Sequence, residues 1–136
     1  MLKLRQFDGM LLKILVFGNP LVKEDSLPLR VMGKLQGKFP KIEFVLLDAA
    51  ENIPEKEDLI ILDTVFGIKT VKMIEELEIF VQNKKLTMHD CDLGFQLLVM
   101  KKMGLLGKVK IIGVPPEYGE EKARNAVERA IRKLCK

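Results

Sequence analysis

A three-layer α/β/α sandwich with a mostly parallel, twisted sheet is the fold class this sequence predicts, on three observations. Short apolar runs without alternation recur at Leu12–Phe17, Ile42–Leu47, Leu59–Leu62 and Val109–Val114. Such runs mark strands covered on both faces, the habit of parallel sheets. Stretches of helical periodicity stand between them, and strands alternating with helices place helices on both sides of one sheet.

Taken in order, the run from Leu11 to Phe17 is stopped by Gly18-Asn19-Pro20 and reads as a buried strand ending in a turn. Glu24, Asp25 and Ser26 then open a helix whose Leu27, Val31, Leu35 and Phe39 share a face; Ser26 is its N-cap and Pro28 sits in the first turn, where a missing N–H costs little. The second strand ends at Asp48 and the third at Asp63-Thr64. Thr70–Val81 admits a helical reading through Ile74-Glu75-Glu76-Leu77, but extended structure at a sheet edge is preferred, the source of one antiparallel edge strand. A helix from Leu93 to about Met103 follows, with Asp92 as N-cap, Lys101 and Lys102 near its end and Gly104 as stop. It is apolar almost all round, which predicts deep burial. Val109–Val114 is halted by Pro115-Pro116, and the last helix carries a stripe of Ala123, Ala126, Val127, Ala130, Ile131 and Leu134. Glu120 and Glu121 sit at its positive end and Arg132 and Lys133 at its negative end.

At 136 residues with 48% apolar composition and no composition break, the chain is read as one domain over 1–136, with Met1–Gly9 as a loose N-terminal tail. The 23 basic and 19 acidic residues leave only +4, scattered among acids, and aromatics reach 6% with no Trp. Nucleic-acid binding by stacking is therefore not expected. No stretch approaches the roughly 20 apolar residues of a membrane span, so no membrane insertion is expected. Two cysteines, Cys91 and Cys135, make no disulfide framework, and a cytoplasmic location is expected.

Sites in open α/β sheets form beyond the carboxyl ends of the strands. That edge collects Asn19, Glu24 and Asp25 after the first strand, Asp48 after the second and Asp63 after the third, while His89, the sole histidine, lies in a loop able to return there. Carboxylates with an imidazole make a metal site or an acid/base set. The competing reading is structural: acids at strand ends often cap the next helix, and a lone His is more often packing than ligand. Gly18-Asn19 lacks the glycine spacing of either nucleotide fingerprint. His89 and Cys91, two apart, seldom face one another, so Cys91 is read as packing beside the site; Cys135 is incidental, and the seven methionines fill the core.

Four segments in register resemble the hydrogenase maturation proteases, endopeptidases that trim the large subunit of nickel–iron hydrogenases. They are Ile14–Val31 with its Gly18-Asn19 turn and Glu24-Asp25 pair, Leu59–Val65 with Asp63, Met88–Leu98 with His89, and Ile111–Pro116 with Gly113. The resemblance runs from about Leu12 to the C-terminus. It implies metal contacts, and the catalytic set, at Asp25, Asp63 and His89, with Glu24 as neighbour in the acidic pair. The chain departs from the family pattern at Val16, where a Gly is usual, and at Pro28, where a Gly tends to follow the acidic pair.

The implied activity is removal of a C-terminal extension from a hydrogenase large-subunit precursor after nickel insertion. The nickel is then supplied by the substrate rather than permanently bound, and either the nickel or a carboxylate activates the water. The alternative is a non-catalytic nickel-binding or chaperone module of hydrogenase assembly, which needs the same ligands but cleaves nothing.

Overall fold

The first strand, β1 (Leu12–Phe17), lies parallel to β2 (Ile42–Leu47) from Leu12↔Ile42 to Phe17↔Leu47, and α1 (Leu27–Leu35) carries the chain between them. The computed structural model describes residues 12–19, 21, 26–47, 53–83, 85–88 and 91–135. The N-terminal tail predicted over Met1–Gly9 lies outside them. Next come β3 (Leu59–Phe66), β4 (Lys72–Ile74), α2 (Ile79–Gln82), β5 (Thr87–Met88), α3 (Cys91–Lys102), β6 (Val109–Val114) and α4 (Glu120–Leu134). Among the described residues the sheet order is β2-β1-β3-β6-β4, with β5 added beside β3.

The ladders β1–β2, β1–β3 and β3–β6 are parallel. β4 closes the sheet antiparallel to β6, pairing Lys72 with Gly113 and Ile74 with Ile111, so the extended edge reading of Thr70–Val81 holds for Lys72–Ile74 alone. The helical reading of residues 74–77 fails because Ile74 is spent in this ladder and is buried. Helix appears only at Ile79–Gln82.

Strand alternation sends even positions of β1, β3 and β6 to one face and odd positions to the other. Ile14, Val16, Ile60, Leu62, Ile112 and Val114 join Leu27, Val31 and Leu35 of α1 and Val127 and Ile131 of α4 in one core. Leu15, Phe17, Ile61, Val65 and Ile111 pack with Leu93 and Leu97 of α3 in the other. Each fully buried aliphatic side chain contributes about 1.5–3 kcal/mol, so these two layers dominate stability. Across the α1–α4 surface, Arg30 meets Glu120 at 3.1 Å and Lys38 meets Glu128 at 3.1 Å, pairs of small individual worth. No helix among the described residues is long and apolar enough to cross a membrane.

Four sequence expectations need correction. β2 is not buried on both faces: of its residues only Ile42 is buried and Leu46 is exposed, because among the described residues β2 is the end strand with a neighbour on one side alone. β3 does not stop at Leu62 but runs to Phe66, held by β6 through Thr64 and by β5 beyond it. α3 begins at Cys91, which puts Asp92 inside the helix rather than at its cap. α3 is also not covered all round: Leu93 and Leu97 are buried, but Phe95 is 70% exposed. Ser26 takes the N-cap position of α1 and Pro28 its first turn, but the side-chain capping bond is not made; the Ser26 carbonyl accepts from the Arg30 N–H at 3.1 Å. Gly104 ends α3 as expected, with φ of +72° and the Leu105 N–H donating to the Met100 carbonyl at 2.9 Å.

Candidate active site

The connections leaving β1 and β3 depart in opposite directions. From β1 the chain passes through α1 to β2 on one side; from β3 it passes by way of α3 to β6 on the other. The two helices lie on opposite faces, α1 with one core and α3 with the other. The gap between the carboxyl ends of β1 and β3 is thus a topological switch point, the place where open α/β sheets hold their ligands.

Asp63 stands at this point. It lies on β3 with Gly113 of β6 as its Cα partner, one residue past Leu62, which pairs with Val16 of β1. By alternation its side chain belongs to the α3 face, between the positions of Ile61 and Val65. The residue is 0% exposed, as is Thr64. A carboxylate taken out of water is costly unless it is paired, hydrogen-bonded or coordinated, so this position is not one that packing alone selects.

Gly113 makes the floor beside Asp63 possible. A Cβ there would lie 2.9 Å from Val65 Cγ2 and 3.3 Å from Ile68 Cδ1. The absence of a side chain lets the far end of β3 and the turn after it close over β6. Gly67, at φ +93°, reverses the chain after β3, and a Cβ there would collide with the Lys85 carbonyl. That close approach allows residues 85–88 to return as β5, with Met88 opposite Val65 and Thr87 opposite Phe66. His89 follows Met88 directly in the chain. The fold therefore delivers the chain to a position two residues past Asp63 on the neighbouring strand, one residue before His89.

Of the predicted set, Asp63 is the one residue described, buried on the central strand β3 toward its carboxyl end. Asp25 and His89 lie outside the described residues, as do Glu24 and Asp48. Among the described residues no group of three or more His, Cys, Asp or Glu side chains is placed to hold a metal. Asn19 is used structurally, its Oδ1 accepting the Leu21 N–H at 2.9 Å in the turn that leaves β1. Val16, one of the departures from the family pattern, is a fully buried β1 residue between Leu46 and Leu62. Pro28 is buried in the first turn of α1. Cys135 is an exposed residue with a free thiol after α4, and partial desolvation, opposed by the nearby Arg132 charge, pushes the thiol pKa up. The supporting role of Gly67 escaped the sequence reading, although a glycine directly after an apolar strand was the available signal.

Residues 44–136 match the family model described as hydrogenase maturation protease. The fold is similar to that of the hydrogenase maturating endopeptidase HybD from E. coli, with a TM-score of 0.63 and 20% identity over 91% of this chain and 93% of that one. An endopeptidase from Escherichia coli solved in solution gives a TM-score of 0.59 at 22% identity, covering 90% of this chain and 93% of that one. The crystal structure of a hydrogenase 3 maturation protease gives 0.58 at 16% identity, over 92% and 90%. At such identities these likenesses are ones of fold. A comparison with curated protein sequences found no match.

Proposed function

Because the chain belongs to the hydrogenase maturation protease family, we propose that it is the endopeptidase that removes the C-terminal extension of a nickel-loaded hydrogenase large-subunit precursor. The observation that carries this reading is the family match over residues 44–136, which spans both Asp63 and His89. The burial of Asp63 at the β1/β3 switch point supports it from the side of geometry.

In this reading the nickel belongs to the substrate. Asp25 and Asp63 offer oxygen donors and His89 a nitrogen donor, types that nickel accepts in positions left open by the precursor's own ligands. The protein then recognises a loaded precursor by completing its coordination, and an empty precursor offers nothing to complete. Hydrolysis needs a polarised carbonyl and an activated water, and a carboxylate beside the scissile bond can take the proton of that water. The sheet contributes rigidity: the Asp63 backbone is fixed by pairing with β6 and its side chain is fully buried, which restricts where its carboxylate can lie before substrate arrives. We place the reaction in the cytoplasm, where a reducing environment keeps substrate thiolates available to nickel.

The test is incubation of the purified protein with nickel-loaded and nickel-free precursors encoded near its gene, followed by gel and mass analysis of the large subunit. A size loss confined to the loaded precursor is expected. Binding without any size loss, across several cognate precursors, would establish the non-catalytic nickel-binding or chaperone module instead.

A further inference from the structure

Four of the large apolar side chains that the fold leaves in solvent lie on α2, on α3 and just past the end of α3: Val81 at 63% exposure, Phe95 at 70%, Val99 and Met103. Val81, Phe95 and Leu98 line two adjoining cavities of about 250 and 490 Å³. Because the three are shared, the cavities form one trough between α2 and α3. Its near end is walled by Thr87 and Met88 of β5, and its far end by Lys101 and Lys102.

The near end lies close to the candidate active site. Met88 pairs with Val65, two residues beyond Asp63 and so about 7 Å further along β3. The trough follows α3 from Gly94 to Lys102, about 12 Å of helix, which matches about four residues of extended peptide. Among the described residues β5 is paired on the β3 side alone, which leaves its other edge to a further extended strand. Charge marks the far end. Lys101 is engaged by Glu78 at 2.6 Å, whereas Lys102 has no ion pair with a described residue.

We propose that this trough docks an extended, apolar segment of the large-subunit precursor, with Val81, Phe95 and Leu98 receiving its side chains and Lys102 meeting an acidic residue at its far end. The proposal rests on the reading of the chain as a precursor-processing endopeptidase. A contiguous apolar surface of this kind on a folded chain marks an interaction site. Continuity with the strand that leads into His89 makes the protein being cleaved its occupant. The segment would enter beside β5, two residues along β3 from Asp63, and leave along α3.

The experiment compares Phe95→Asp, Val81→Asp and Lys102→Glu with Met103→Asp, an exposed apolar position outside the trough. Each variant is checked for wild-type melting and circular dichroism, with Phe95→Ser replacing any that fails. Binding of the nickel-loaded precursor is measured by biolayer interferometry, and trimming by steady-state kinetics. The three trough variants should raise Kd and KM about tenfold, as loss of one interface anchor does, with kcat within about twofold of wild type. Met103→Asp should change neither. Trimming by Phe95→Asp with unchanged KM overturns the docking site while leaving the processing activity intact. Precursor binding that depends on Phe95 but yields no cleavage supports the docking site and overturns the activity. A wild-type protein that neither binds nor trims the precursor overturns both. Self-association lost in Phe95→Asp, with precursor affinity unchanged, assigns the trough to a second copy of the chain and overturns the proposal.

Discussion

Asp63 occupies a strand position whose neighbours Leu62 and Val65 are fully buried hydrophobes, and it is as buried as they are. An Asp→Asn change keeps its shape and removes its charge. If the residue serves the reaction, Asp63→Asn should fold with a melting temperature within a few degrees of wild type. Its trimming of a nickel-loaded precursor should nevertheless fall by about a hundredfold or more, the scale of a lost acid/base or ligand group. Full activity in a folded Asp63→Asn protein would assign the chemistry elsewhere. Asp63 stood out in the chain as an acid directly after an uninterrupted apolar run, but that pattern alone did not separate a functional acid from a helix cap, nor show that β3 runs on to Phe66. Gly113 and Gly67 were less legible. What each permits is a close approach between segments far apart in sequence, to Val65 and to the Lys85 carbonyl, and local pattern holds no record of that distance.

Elements that depend on their own periodicity were read well, and those that depend on neighbours were not. The stripe of α4 and the runs of β1 and β6 carry their burial in their spacing. β2 has the same kind of apolar run, but its place at the sheet edge is a property of the strand order. β5, two residues long, pairs with β3 because β3 runs on past Thr64 and Gly67 leaves room for the Lys85 carbonyl just before it. Gly67→Ala should therefore cost about 3 kcal/mol through positive-φ strain and overpacking against Lys85. A fall of about 10 °C in Tm by calorimetry follows. Trimming should drop further than the folded fraction explains, since the turn positions the strand before His89. The α1–α4 surface makes a second prediction. Hydrogen bonds from Lys38, then from Arg132, hold the Glu128 carboxyl below its ordinary range. A carboxyl depressed in the folded state stabilises above its unfolded pKa, and that contribution is lost as pH falls through the folded one. Glu128→Gln should melt slightly below wild type at neutral pH, with the difference closing as pH drops below the ordinary carboxylate range. A difference that persists unchanged in acid would show that packing, not charge, is responsible.

At the scale of the whole molecule, the proposed ligands are drawn from separate stretches of the chain. Asp25 belongs to the connection leaving β1, Asp63 to β3 itself, and His89 to the segment after β5. In the proposed reading three separate parts of the chain supply three donors, and Asp63, the one that is described, is anchored within the β3–β6 ladder. Such a set is suited to completing the coordination of a metal already held by another protein, because two carboxylates and one imidazole make an incomplete and open shell by themselves. Affinity for free nickel should accordingly be in the millimolar range. At 1 mM nickel, a Kd of about 1 mM stabilises the fold by about 0.4 kcal/mol, a Tm rise of about 2 °C. Purified protein should carry well under one metal per chain by elemental analysis, and nickel titration followed by thermal melting should give that small shift. Asp63→Asn should abolish the shift without altering the melting temperature in the absence of metal by more than a few degrees. Zinc held tightly at one per chain would point instead to a resident metal and a conventional metallopeptidase.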